Sequence, residues 1–200
     1  MREEKRTEMN KPNHEEIYKG YHIAIYQDMD PESPAAWGEG DVCGWSRHFS
    51  VENEHINKNI FGALMKMDGY GEYAGEAGDV RKNFHVFPID AYVHSGIVLS
   101  LHGEGMRDRW DTSDFVGCVL VSKHETKGRK AAEKIAHGII ATWNQYLNGE
   151  VYGYVITRPK KCGHCGHVAY ENVESLWGIY GETSDVLAAA RETADALKKP

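Results

Sequence analysis

The chain has 200 residues, a formal net charge of −7, 41% apolar and 26% charged residues, a balance that excludes a wholly disordered chain and suffices for a packed core. No apolar run approaches the roughly 20 residues of a membrane-spanning helix, and the N-terminal MREEKRTEMNK lacks an apolar signal core, so a cytoplasmic protein is expected. The charge is uneven: from Asp28 to Asp79 eleven carboxylates stand against three cations, which opposes nucleic acid and favours basic partners, cations or plain solubility.

Residues 1–17 are polar, of mixed charge and without an apolar period, and read as a mobile tail ahead of one domain over 18–181 and a C-terminal helix over 182–200. Tyr21–Tyr26 (YHIAIY) alternates as a strand does, and Asp28–Pro34 (DMDPESP) ends it because Pro31 and Pro34 interrupt the backbone. Asp41–Arg47 is a weaker strand candidate. Glu54–Met67 predicts a helix, with Ile56, Ile60, Leu64 and Met67 at helical spacing as a core stripe. Gly69–Gly78 (GYGEYAGEAG) predicts a loop and lacks the lysine of a phosphate-binding loop. Phe87–Leu101, broken near His94–Gly96, and Phe115–Ser122 read as central strands.

From Lys127 to Leu147, residues Ala131, Ala132, Ile135, Ala136, Ile139, Ile140, Trp143 and Leu147 mark one face of a long amphipathic helix, ended by Asn148 and Gly149. Val151–Thr157 and Asn172–Tyr180 predict a hairpin with a cysteine pair at its tip, and Ser184–Lys198 a last helix with Ser184 and Asp185 placed to cap it. Without strict βαβ alternation these elements predict an α+β fold: a largely antiparallel sheet covered by one long amphipathic helix, with a CxxC-tipped hairpin.

The sharpest chemical motif is Cys162-Gly-His-Cys-Gly-His167. Two cysteines two residues apart, with glycine after the second, form a turn that aims two thiolates at one zinc ion. A structural zinc takes four ligands, so His164 and His167, or Cys43 and His48 brought in by folding, have to join Cys162 and Cys165. An unmetallated hairpin tip is the competing reading. The letters CGHC also resemble the active-site motif of protein disulfide isomerases, whose chemistry needs the first cysteine at a helix N-terminus. No helical period follows Cys165, and Lys161 stands where that motif has tryptophan.

Asp28, Asp30 and Glu32 alternate as oxygen ligands of a cation often do, but the glycine and the final glutamate of an EF-hand are missing, which leaves a solvated acidic turn. Asp90, His94 and Ser95 suggest an acid, a base and a nucleophile, yet no G-x-S-x-G elbow is present, and a histidine in a strand break more often makes a structural hydrogen bond. Tyr146, Tyr152, Tyr154, Trp177 and Tyr180 read first as packing and second as a recognition surface.

Five stretches occur in order: YKGYHIAIYQDMDPESPAAW (18–37), YVHSGIVLS (92–100), WDTSDFVGCVLVSK (110–123), NQYLNGEVYGYVIT (144–157) and ESLWGIYG (174–181). Together they resemble a family of uncharacterised proteins encoded by bacteriophages and plasmids, a resemblance that implies membership and no activity. Where that family tends to read Tyr-Asp-His-Ser-Gly this chain has Val93, and where it tends to have a cysteine before Trp-Gly this chain has Leu176. The function expected from these readings is that of a mobile-element accessory protein that binds a host defence protein, such as a CRISPR effector or a restriction enzyme, and inhibits it. Asp28, Asp30, Glu32, Glu72, Glu76 and Asp79 are its candidate contacts, opposing a basic nucleic-acid channel. A zinc-stabilised nucleic-acid-binding protein using Arg158, Lys160 and Lys161 is the alternative. A small hydrolase or thiol redox enzyme comes third, because no complete catalytic constellation is visible.

Overall fold

The computed structural model describes residues 11–37, 42–47, 49–105, 108, 110–126 and 128–197. In chain order the elements are β1 (His14–Tyr18), β2 (Tyr21–Gln27), a 3₁₀ turn (Pro34–Trp37), β3 (Val42–Trp45), β4 (Ser50–Val51), α1 (Lys58–Leu64), a second 3₁₀ turn (Gly71–Tyr73), α2 (Ala74–Asn83), β5 (Phe84–Val93), β6 (Ile97–Leu101), β7 (Thr112–Ser122), α3 (Arg129–Leu147), β8 (Val151–Lys161), β9 (Val168–Tyr180) and α4 (Thr183–Ala196). The fold is α+β, with every strand pair antiparallel. It holds two sheets where one was expected, and the chain divides into two compact units, Met1–Glu32 with Gly149–Pro200 and Ser33–Asn148. No helix among the described residues is long and apolar enough to cross a membrane.

The first unit is a four-stranded sheet in the order β1-β2-β8-β9. Alternation in β2 sends Tyr21, Ile23 and Ile25 to one face, where they meet Tyr154 and Ile156 of β8 and the buried Val186, Ala190 and Ala194 of α4. Residues 14–17, read as tail, are part of β1. An edge strand with charged side chains on an open face shows no apolar alternation, which is why HEEIY hides its conformation. The turn to β2 uses Lys19 at φ 50° and Gly20 at φ 89°, the left-handed pair that matches strand twist in a tight hairpin. At the start of α4 neither Ser184 nor Asp185 caps: Glu182 occupies the cap position without a side-chain bond. Lys198 lies outside the described residues.

The second unit is a five-stranded sheet in the order β4-β3-β7-β5-β6, covered on both faces. In the central β7, Val119 and Val121 face Ala132, Ala136, Ile140 and Trp143 of α3, while Cys118 and Leu120 face Phe61 and Leu64 of α1 and Ala77 and Val80 of α2. Double coverage explains the unbroken apolar run that marks this strand in the sequence. β7 begins at Thr112, ahead of the predicted start at Phe115, so the polar residues 112–114 already belong to the strand. α1 is shorter than predicted: Asn57 caps it by accepting the N–H groups of Asn59 and Ile60, and Ile56 sits ahead of it in a bridge to Asn53, still in the core. The predicted loop over 69–78 is largely a 3₁₀ turn and the start of α2. Its Gly75 and Gly78 face open space, and burial of Ala77 and Val80 holds the helix against its low propensity.

α3 covers one face of this unit alone, and its buried stripe is narrower than predicted, since Ala131 and Ile135 are exposed. It also closes a sheet edge. Asn144 Oδ1 accepts the N–H of Leu99 at 2.7 Å, its Nδ2 donates to the Leu99 carbonyl at 2.9 Å, and Asn148 Nδ2 donates to Ile97 O at 3.0 Å, so the outer edge of β6 is paired by side chains. Asn144→Ala removes both partners of a buried residue's backbone and is expected to lower stability by about 2 kcal/mol, with faster amide exchange at Leu99 as the local readout.

Candidate functional site

The hairpin places the cysteines where the sequence puts them. β8 and β9 pair down to Lys161↔Val168, and Cys162–His167 forms the tip. The turn is closed by Cys162 N–H donating to His167 O at 2.7 Å and Gly166 N–H donating to Cys162 O at 3.0 Å, with Gly166 at φ 73°, a conformation glycine adopts without strain. Residues 158–170 are exposed on both faces, so the outer hairpin is a two-stranded arm in solvent. Both thiols are free and exposed. Backbone N–H groups of Cys165 and His164, followed by the Cys165 thiol, hold the Cys162 thiol below the usual range.

The four predicted ligands are not gathered into one set. Among the described residues, the one group of three or more metal-ligating side chains is Asp90, His102 and Asp114, so neither His164 nor His167 closes on the two sulfurs. Cys43 does not supply a ligand either. It is fully buried in the second unit, its sulfur 3.3 Å from that of Cys118 across the β3–β7 pair, where that contact and then burial push the Cys118 thiol well up. His48 lies outside the described residues.

The Asp90 cluster grows from an irregularity in the sheet. Between the pairs Ile89↔Gly117 and Ala91↔Ser113, Asp90 alone stands opposite Asp114, Phe115 and Val116, and the bulge leaves Phe115 at φ 54°. The Asp90 side chain is 5% exposed. Its Oδ1 accepts the Phe115 N–H at 3.0 Å and its Oδ2 the Gly103 N–H at 3.1 Å, and both oxygens lie within 3.0 Å of His102 Nδ1. The His102 ring stacks on Phe115 at 4.0 Å. Burial pushes the Asp90 carboxyl up in pKa, but the bonds from His102, Phe115 and Gly103 outweigh it and bring the group below its ordinary value.

This carboxylate is therefore occupied by two backbone donors and a histidine, the work of a structural pin. It is not the partner of His94: that ring's Nδ1 meets Asp111 Oδ2 at 2.9 Å, and Ser95 is exposed in the β5–β6 turn. The sequence-based trio of Asp90, His94 and Ser95 is thus split, and His102 and Asp111 are the partners it missed. An acid inside the apolar FHVFPIDAYV was a visible signal. The identity of its partner, beyond a hairpin, was not.

The acidic candidates also separate. Asp28 is buried, and its Oδ1 accepts the Asp30 N–H at 3.1 Å, so its charge is turned into the chain. Asp30 and Glu32 are exposed in the first unit, and the Glu32 carbonyl accepts the Tyr180 hydroxyl at 2.6 Å. In the second unit Glu72, Glu76 and Asp79 follow one another at helical spacing through the 3₁₀ turn and α2, all exposed, opposite the buried Ala77 and Val80. None of the three carboxylates pairs with a cation among the described residues.

The aromatic residues serve packing. Tyr154 is buried with its hydroxyl 2.7 Å from Thr193 Oγ1, Trp177 stacks on Tyr26, and Tyr146 meets Trp143 edge-on. Comparison of the chain with protein-family models, curated proteins and solved structures finds no match.

Proposed function

We propose that the protein acts in the cytoplasm by binding a basic partner protein through the acidic stripe Glu72, Glu76 and Asp79, and that the partner is a host defence nuclease whose nucleic-acid channel the stripe opposes. The observation that carries the first part is the exposed, helically spaced row of three carboxylates without cationic partners. The second part draws on the resemblance to mobile-element proteins. An acidic row complements a channel built for phosphates and is recognised chiefly through charge.

The competing readings receive less from the geometry. Of the cations proposed for nucleic acid, Arg158 and Lys160 both pair with Glu171, at 3.2 Å each. A redox role lacks the helix N-terminus that activates a CxxC thiol.

A phage targeted by a restriction system or a CRISPR nuclease is expected to plaque at least tenfold better on hosts expressing the chain, and E72K/E76K/D79K is expected to remove the gain. Equal plaquing with and without the chain across such hosts, or full activity of the charge-reversed variant, contradicts the proposal.

A further inference from the structure

We propose that one zinc ion joins two copies of this chain at their hairpin tips, held by Cys162 and Cys165 of each. The tip has the features of half a tetrahedral thiolate site. Two sulfurs sit on a turn closed at its base by paired backbone bonds, Cys162 N–H to His167 O and Gly166 N–H to Cys162 O. Zinc takes four ligands, and among the described residues no third donor is grouped with the pair. The arm reaches into solvent on both faces, so a second tip can approach it without displacing any packed residue. A second copy offers the same two sulfurs, and a two-fold axis through the metal closes the assembly.

Charge makes the union depend on the metal. Each arm carries Arg158, Lys160 and Lys161 against Glu171, so two bare tips repel. Zinc bound by four thiolates carries a net negative charge, which those cations then offset. The Lys161 stem lies 3.8 Å from the position a Cβ would take on Gly166, within the turn. Val168, 47% exposed at the root of the tip, supplies an apolar flank for the opposing arm. This site is separate from the acidic stripe, and its fate does not depend on the function proposed there.

The test uses the full reduced chain, stripped of metal by a chelator and titrated with zinc, with mass read by sedimentation equilibrium and metal by elemental analysis. The expected result is a doubling of mass at one zinc per two chains, reversed by chelator. C162S and C165S should stay monomeric with an unchanged far-ultraviolet spectrum, since both positions are exposed. H164A/H167A should dimerise as the parent does, and cobalt in place of zinc should give the thiolate charge-transfer bands of a four-sulfur site. One zinc per monomer that is lost in H164A/H167A overturns the proposal, as does a chain that stays monomeric throughout the titration.

Discussion

Asp90→Ala is expected to lower the stability of the second unit by about 3 kcal/mol, because it strips a buried bulge of the acceptor for two backbone N–H groups and of the carboxylate that meets His102 Nδ1. Asp90→Asn keeps the shape and loses the charge, and its amide must turn an N–H against donors, so it recovers little. The pH dependence follows from the depressed carboxyl. A group whose folded pKa lies below its unfolded value contributes stability above the unfolded value and loses it as pH falls through the folded one. Wild-type stability should therefore decline from about pH 4 downward, near the ordinary aspartate value, and more steeply than that of Asp90→Asn. Urea titrations at pH 7 and pH 3, with amide exchange at Gly103 and Phe115, read both effects. If the two proteins respond to acid alike, Asp90 is not the pin described.

Gly117→Ala should be at least as damaging, at about 4 kcal/mol. A Cβ there would lie 1.9 Å from the Cys43 carbonyl oxygen and 2.8 Å from the Gly44 Cα, both backbone atoms of β3, so no rotamer change relieves it. β3 must move off β7, breaking the pairs Cys43↔Cys118 and Gly44↔Gly117 in the middle of the sheet. Gly138→Ala makes the opposite case. In the exposed surface of α3 its Cβ meets nothing within 4 Å, so the change is expected to stabilise by about 0.8 kcal/mol through helix propensity alone. Denaturation midpoints of the two variants moving in opposite directions would confirm that close approach, not glycine content, decides which glycines the fold requires.

What the sequence made legible follows from how each element is buried. β2 and the hairpin strands announce themselves by alternation, β7 by an apolar run covered on both sides, and α3 by a stripe at helical spacing. β1 was invisible because an exposed, charged edge strand has no pattern to show. α2 was masked by glycines that tertiary burial of Ala77 and Val80 overrides. The second sheet was hidden for a topological reason: β2 pairs with β8, and Ser33–Asn148 folds between them. Local pattern reading has no access to a pairing of that span.

The same distinction holds for the sites. The CxxC turn is a local motif, and it was found at the hairpin tip where it was expected. The Asp90–His102 pair joins two strands through a bulge, and chain proximity pointed instead to His94 and Ser95. The acidic segment was correctly seen as a concentration of charge, but its division into a buried Asp28, an exposed turn and a helical row needed the fold.

The most direct test of the proposed function is cleavage of target DNA by purified restriction and CRISPR nucleases, measured with increasing chain at several salt concentrations. Inhibition that weakens steeply as salt rises, and that falls at least tenfold in E72K/E76K/D79K, is the predicted result. Inhibition insensitive to salt and unchanged by the three charge reversals would contradict it.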